Sequence, residues 1–415
     1  MYSTDGILVG TFQSIWKWKL IRCKSFFQRA RCDSLFYARR AGLAPTLFCF
    51  SDKIMHLADY RIAPAETQII KAFAIVAMLV HHLFLETPEY GLGIYSLAIA
   101  GKVCVALFVF LSGYGMAMSF PQKKDSRLNT AKTFFFFLGK RYVKFFLNYW
   151  VVFAISVLIG IFCFGRTLEI AYGTRDGLLA KFISDIFGLR GFGSYNITWW
   201  FNELILVLWL LFPLLYVAMR NMFVSLCVIV FLFINPGDIL YICEIFANCL
   251  SIYILPFSIG ICMALHAERI NNVLNAIPQK ILLGVLAVAT TIFLFLRGVA
   301  LFPEFSYFRV DPFATVSLVL FVVCLCRSTK LQFAPLQFIG KHSMNMYLTH
   351  TFIFGYFFHD FIYGLDYPIL MFLALFGISL LISVLIEFAK NKLGFYRLQS
   401  EIVSLISRQI PSNRN

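Results

Sequence analysis

A chain of 415 residues that is 60% hydrophobic and only 14% charged cannot cover its surface with polar groups in water. Its formal net charge of +15 would suit a nucleic-acid binder. Lys and Arg cluster between apolar segments, however, so orientation in a bilayer is the better reading and nucleic acid is set aside.

In chain order, residues 1–65 are rich in Lys and Arg and hold no segment long enough to span a membrane. They read as a basic cytoplasmic tail, or as an extension ahead of a later start at Met55. Ten candidate spans follow, near 67–86, 96–118, 146–165, 199–218, 222–237, 246–265, 280–298, 312–328, 342–359 and 368–388. The fifth is short and the ninth carries polar residues. Residues 66–390 thus form one transmembrane domain, and 391–415 a second cytoplasmic tail. The expected fold is an all-α, polytopic transmembrane bundle of about ten helices.

Loop charge orients this bundle. Lys140, Arg141 and Lys144 follow the second span, Arg327, Lys330 and Lys341 the eighth, and Lys390 and Lys392 the tenth. Alternate loops are acidic or mixed, as at Asp238 and Glu244. The positive-inside rule then places both termini in the cytoplasm, and the expected location is the cell's inner (plasma) membrane. The eleven cysteines lie mostly in apolar runs, and no metal site is read from their spacing.

Ionisable groups inside a span are costly and mark candidate sites. In the first span Lys71 and His82 are eleven residues apart. At about 100° and 1.5 Å per residue they share one helix face, separated by about 16 Å. His81 points about 100° away from His82. The second span closes with Phe108-Val-Phe-Leu-Ser112-Gly113-Tyr114, whose small residues suit close helix or ligand approach. Arg141 and Lys144 share a face by their i,i+3 spacing and are candidates for holding phosphates or for anchoring at the inner interface. Glu203 follows Trp200 by three residues at the start of the fourth span. In the ninth, Ser343, Tyr347 and His350 make a polar helical stripe.

These pieces, in this order, resemble the membrane acyltransferase-3 family over about residues 66–388. Its Arg-or-Lys, ten residues, His motif is matched by Lys71 and His82. Its Phe-x-x-Ser-Gly-Tyr/Phe is matched from Phe108 to Tyr114. Its Arg-x-x-Arg is matched by Arg141 and Lys144, with Lys in the second place. Its Gly-Lys-x-Ser-x-x-x-Tyr-x-x-His is matched by Gly340, Lys341, Ser343, Tyr347 and His350, and its Trp-Phe-x-Glu by Trp200, Phe201 and Glu203. The Lys for Arg exchange keeps the charge but loses a bidentate donor.

The resemblance implies an acyl-CoA donor, usually acetyl-CoA, used as a substrate rather than as a tightly bound cofactor. It implies transfer of an acetyl or other short acyl group to a hydroxyl of a carbohydrate or lipid-linked glycan of the cell envelope. On that reading His82 is general base or acyl relay, and Glu203 and His350 complete the catalytic set. Lys71, Arg141, Lys144, Ser112, Gly113 and Tyr114 hold the donor. His81, Trp200, Ser343 and Tyr347 contact substrate. Membrane lipids surround the bundle, and a partner acyl-transfer protein is a further expectation. The competing expectation is an exporter or flippase of a glycan intermediate, although no repeated halves are visible in the sequence.

Overall fold

The computed structural model describes residues 59–121, 127–173, 177–189, 194–234, 247–299, 303–329 and 333–408. Most of the expected N-terminal tail lies outside these residues, as do Lys330, Asp238 and Glu244. Among the described residues the only regular elements are helices. They are α1 (Pro64–Phe84), α2 (Leu92–Gly101), α3 (Val103–Ser119), α4 (Arg127–Phe164), α5 (Leu168–Tyr172) and α6 (Leu178–Ile186). Next come α7 (Trp200–Ala218), α8 (Met222–Ile234), α9 (Ala247–Leu265), α10 (Ala267–Asn275) and α11 (Gln279–Val299). The last are α12 (Pro303–Thr329), α13 (Ala334–Thr351), α14 (His359–Tyr363), α15 (Pro368–Lys392) and α16 (Phe395–Arg408).

Among the described residues, seven stretches are long and apolar enough to cross a membrane: Pro64–Phe84, Leu92–Ser119, Ala131–Phe164, Ile197–Ala218, Gln279–Val299, Arg309–Thr329 and Pro368–Lys392. An eighth is added if Leu250–Leu265 and Ala267–Asn275, which meet at a bend of 81°, count as one span. Among the described residues, length and composition therefore support seven or eight spans, and the expected count of ten is not confirmed. Helix α8 has only 13 residues. Helix α13 starts earlier than expected, at Ala334, and carries Lys341, His342, Ser343, Asn345 and His350. Residues 395–408 of the expected C-terminal tail form α16, which packs on α4.

Leu158, Phe162, Leu210, Leu214, Val288 and Leu385 are exposed on the spans. Such an apolar exterior suits lipid chains, not water. The chain is a multi-pass membrane protein.

Helix α1 is central, touching α2, α3, α12, α13 and α15. Its start is fixed chemically. Pro64 occupies a first-turn position where no amide partner is lost. The Glu66 carboxylate accepts the Ala63 amide at 2.7 Å and the Arg327 Nε–H at 3.0 Å, tying α1 to the end of α12. Two glycines let neighbours approach α1 closely. A Cβ on Gly101 would stand 2.5 Å from the Ala77 carbonyl oxygen, and one on Gly340 would collide with the Gln68 main chain. Small residues at such crossings replace the hydrophobic drive that lipid cannot supply.

Between α4 and α7 the chain folds into a small lobe around Asp185. The carboxylate accepts the Tyr195 amide at 2.5 Å, Ser194 Oγ at 2.9 Å and Tyr172 Oη at 3.0 Å. Burial pushes this carboxyl up to about 6, against the pull of those three hydrogen bonds. An unfolded Asp titrates near 3.9. Between these two values the folded protein keeps a proton that the unfolded chain releases. The group's stabilisation is therefore full below about pH 4 and is lost as pH rises through 6. The melting temperature of the wild type minus that of Asp185→Asn should become more positive as pH falls from about 7 to 5. Scanning fluorimetry in detergent measures it, and a pH-independent difference refutes the assignment.

Candidate functional site

A cavity of about 340 Å³ opens beside α1, at the low end of small-molecule pockets. Its polar wall is Lys71, His81, His82, Lys102, Thr198 and Ser343. Its aromatic wall is Phe108, Trp200, Phe201, Tyr253 and Tyr347, with Met78 and Met344 among the aliphatic groups. Lys71 and His82 line the same cavity, as their shared helix face requires.

Three imidazoles meet at the His82 level. The His82 ring centroid is 4.9 Å from that of His81 and 5.1 Å from that of His350. The outer two are oriented by the main chain. His81 Nδ1–H donates to the Ala98 carbonyl at 2.8 Å, across to α2. His350 Nδ1–H donates to the Tyr347 carbonyl at 2.7 Å. A carbonyl only accepts, so these rings carry hydrogen on Nδ1, and when neutral they present a lone pair on Nε2. Thr351 Oγ1 lies 3.3 Å from His350 Nε2. The His82 ring makes no hydrogen bond to a described residue, and it opens on the cavity.

The place of His350 in this cluster depends on how α7 and α13 begin and end. Asn196 Oδ1 accepts the Thr198 amide at 3.0 Å, which sets a short 3-10 turn before α7. Tyr347 Oη donates to the Thr198 carbonyl at 3.0 Å, and Trp199 Nε1 donates to the Leu348 carbonyl at 3.1 Å. These bonds hold the start of α7 on α13 and place Trp200 and Phe201 over the cavity. One residue past His350 the chain ends α13 at Thr351 and enters a π-helical turn, Phe352–Phe357. Such turns recur at functional sites.

The other expected residues are placed differently. Glu203 is buried in the first turn of α7 but is not in the cavity wall, and the rings against His82 are those of His81 and His350. Arg141 is half-buried, donates from Nη2 to Ser119 Oγ at 3.1 Å, and stacks over Phe137 and Trp209. It lies within electrostatic range of Lys71. Lys144 is exposed and away from the cavity, despite its i,i+3 relation to Arg141.

Ser112 accepts Trp209 Nε1–H at 2.8 Å, and Tyr114 Oη accepts the Ile62 amide at 2.9 Å. A Cβ on Gly113 would collide with the Phe257 carbonyl of α9. These three residues tie α3 to neighbouring segments, and none lines the cavity.

Sequence reading passed over Lys102, which lines the cavity at the junction of α2 and α3. It also passed over Arg297 and Asp311, a buried ion pair with Nε and Oδ1 2.6 Å apart. Lys102 and Arg297 are ionisable residues inside expected spans, so the criterion that singled out His82 would have found them.

No curated protein and no solved structure matches the chain. The acyltransferase-3 family model, described as an acyltransferase domain, matches residues 66–388. That match covers most of the chain and includes every residue of the histidine cluster and of the cavity wall. With its apolar helices and its enclosed imidazoles, the chain belongs to the acyltransferase-3 family and is a membrane acyltransferase.

Proposed function

We propose that the protein moves an acetyl or other short acyl group from acyl-CoA to a hydroxyl of a cell-envelope glycan, with His82 as the general base. The observation that carries this reading is the His82 ring, held between two backbone-oriented imidazoles and open to the cavity. A cavity of this size admits the acyl end of the donor and its slender arm. The nucleotide phosphates stay near Lys71 and Arg141, on the side that loop charge assigns to the cytoplasm.

A nitrogen of His82 takes the proton of the acceptor hydroxyl as its oxygen attacks the thioester carbonyl carbon. The carbon–sulfur bond then breaks, and the thiolate leaves with the proton returned by the imidazolium. The products are an ester and free CoA thiol, with atoms and charge balanced. His350 and His81 keep the reacting ring in place. The aromatic wall of Trp200, Phe201 and Tyr253 offers flat apolar surface to a sugar ring.

Purified protein in lipid nanodiscs, given radiolabelled acetyl-CoA and isolated envelope glycan, should release CoA thiol and label the glycan. Glycan translocation without acyl-CoA consumption would instead establish an exporter.

A further inference from the structure

The span α15 ends at Lys392, and α16 begins at Phe395, after a left-handed turn at Gly394 with φ +68°. Helix α16 thus starts at the edge of the apolar layer. Two contacts with α4 fix its level. Lys390 Nζ donates to Asn148 Oδ1 at 3.1 Å, and Gln399 Nε2 reaches the Lys144 carbonyl at 3.5 Å. Asn148 and Lys144 are about one helix turn apart, roughly 6 Å along α4. A coaxial continuation of α15 would travel about twice that distance between residues 390 and 399. Helix α16 therefore stays near the boundary instead of leaving it. Tyr396 Oη also donates to the Glu387 carboxylate of α15, and that carboxylate accepts Asn345 Nδ2–H of α13 at 2.8 Å. The helix is thereby tied to the bundle.

At about 100° per residue, α16 divides into two arcs. Phe395, Leu398, Ile402, Val403, Leu405 and Ile406 fall within one, about 160° wide, with Gln399 among them. Arg397, Ser400, Glu401 and Ser404 fall on the other. The apolar arc is wider than the protein covers. Phe395, Ile402, Val403 and Ile406 are half-buried where α16 packs on α4. Leu398 and Leu405, at one edge of the arc, are 54% and 59% exposed. Seven residues apart, they stand on one line along the helix. Single exposed leucines are ordinary in water. These two follow a span whose Leu381, Leu385 and Phe388 are exposed to lipid. The exposed cations Lys144 and Lys392 stand at the same end of the bundle, on the side that loop charge assigns to the cytoplasm. Cations there suit the anionic headgroups of that leaflet.

We propose that α16 is seated in the headgroup layer of the cytoplasmic leaflet. Leu398 and Leu405 sink among the upper acyl carbons, while Arg397, Ser400 and Glu401 face water. The occupant of the apolar edge is membrane phospholipid. The proposal rests on the multi-pass membrane assignment and does not depend on the acyl-CoA reading.

The test uses the full chain in nanodiscs of phosphatidylcholine and phosphatidylglycerol. Dansylalanine, an environment-sensitive fluorescent residue, is encoded in place of Leu405 or, as the comparison, of Ser400 on the polar arc. One quencher is a phosphatidylcholine with a nitroxide near the top of its acyl chain, and the other is aqueous iodide. An interfacial helix buries its apolar face about 5–10 Å deep, so lipid quenching at position 405 should exceed that at 400 by about threefold or more. Iodide should show the reverse order.

Equal lipid quenching at the two positions overturns the proposal, as does iodide quenching at 405 that matches 400. A label at 405 shielded from both quenchers, in particles with the mass of a dimer, assigns the edge to a second copy and also overturns it. If the variant at 405 does not give a monodisperse protein, position 398 on the same line takes its place. The measurement reads depth and not turnover, so its failure leaves the acyl-CoA reading intact.

Discussion

Alanine at position 82 should lower acyl transfer by about 10²–10⁴-fold, the usual contribution of a positioned general base. The protein should still fold, because the His82 ring makes no hydrogen bond to a described residue, and the ring contacts it loses are those with His81 and His350. His81→Ala provides the contrast. That change removes the 2.8 Å bond to Ala98 between α1 and α2, so it should act first on stability, by about 1 kcal/mol. Steady-state transfer and melting temperature, measured on both variants, separate the two roles. Transfer by His82→Ala within a few-fold of wild type would remove His82 from the chemistry.

The second large effect is expected at the ion pair between α11 and α12. Arg297 is fully buried, Asp311 is 2% exposed, and neither can reach bulk water without unpacking the helices. Arg297→Ala or Asp311→Ala alone leaves one buried charge without its partner, which should cost about 3–5 kcal/mol. The double change Arg297→Met with Asp311→Leu removes both charges at similar volume and should recover most of that loss. Unfolding in mixed detergent micelles measures all three proteins. If the double variant is as unstable as the singles, the pair is not the unit that matters. The double variant also bears on the site, because Lys102 is within electrostatic range of Asp311 and loses that neighbour. Reduced transfer in a stable double variant would show that the pair positions Lys102.

The helix-face argument for Lys71 and His82 rested on spacing alone, and the cavity has both residues in its wall. The stripe of Ser343, Tyr347 and His350 likewise lies along one helix that packs on α1. Periodicity carried these cases because each concerns residues on a single helix, whose geometry is local. The same reasoning was less informative for Arg141 and Lys144. Sharing a face says nothing about what covers that face, and α16, from the expected tail, packs along α4 instead. Lys390, counted as a loop charge, is buried against Asn148 of α4, Asn345 of α13 and Glu387 of its own helix.

By itself the sequence determined a membrane-embedded helical protein of the acyltransferase-3 family, the helix that carries His82, and the residues that share its face. Composition and local period suffice for the helices and the shared face, since a bilayer demands apolar helices and makes each buried polar group conspicuous, while the ordered motifs carry the family resemblance. The meeting of three imidazoles from α1 and α13, the lysine beside them and the ion pair behind it were decided only by tertiary structure. They depend on which helices touch. In lipid that choice is made by close packing at small residues such as Gly101 and Gly340, whose partners lie tens to hundreds of residues away along the chain.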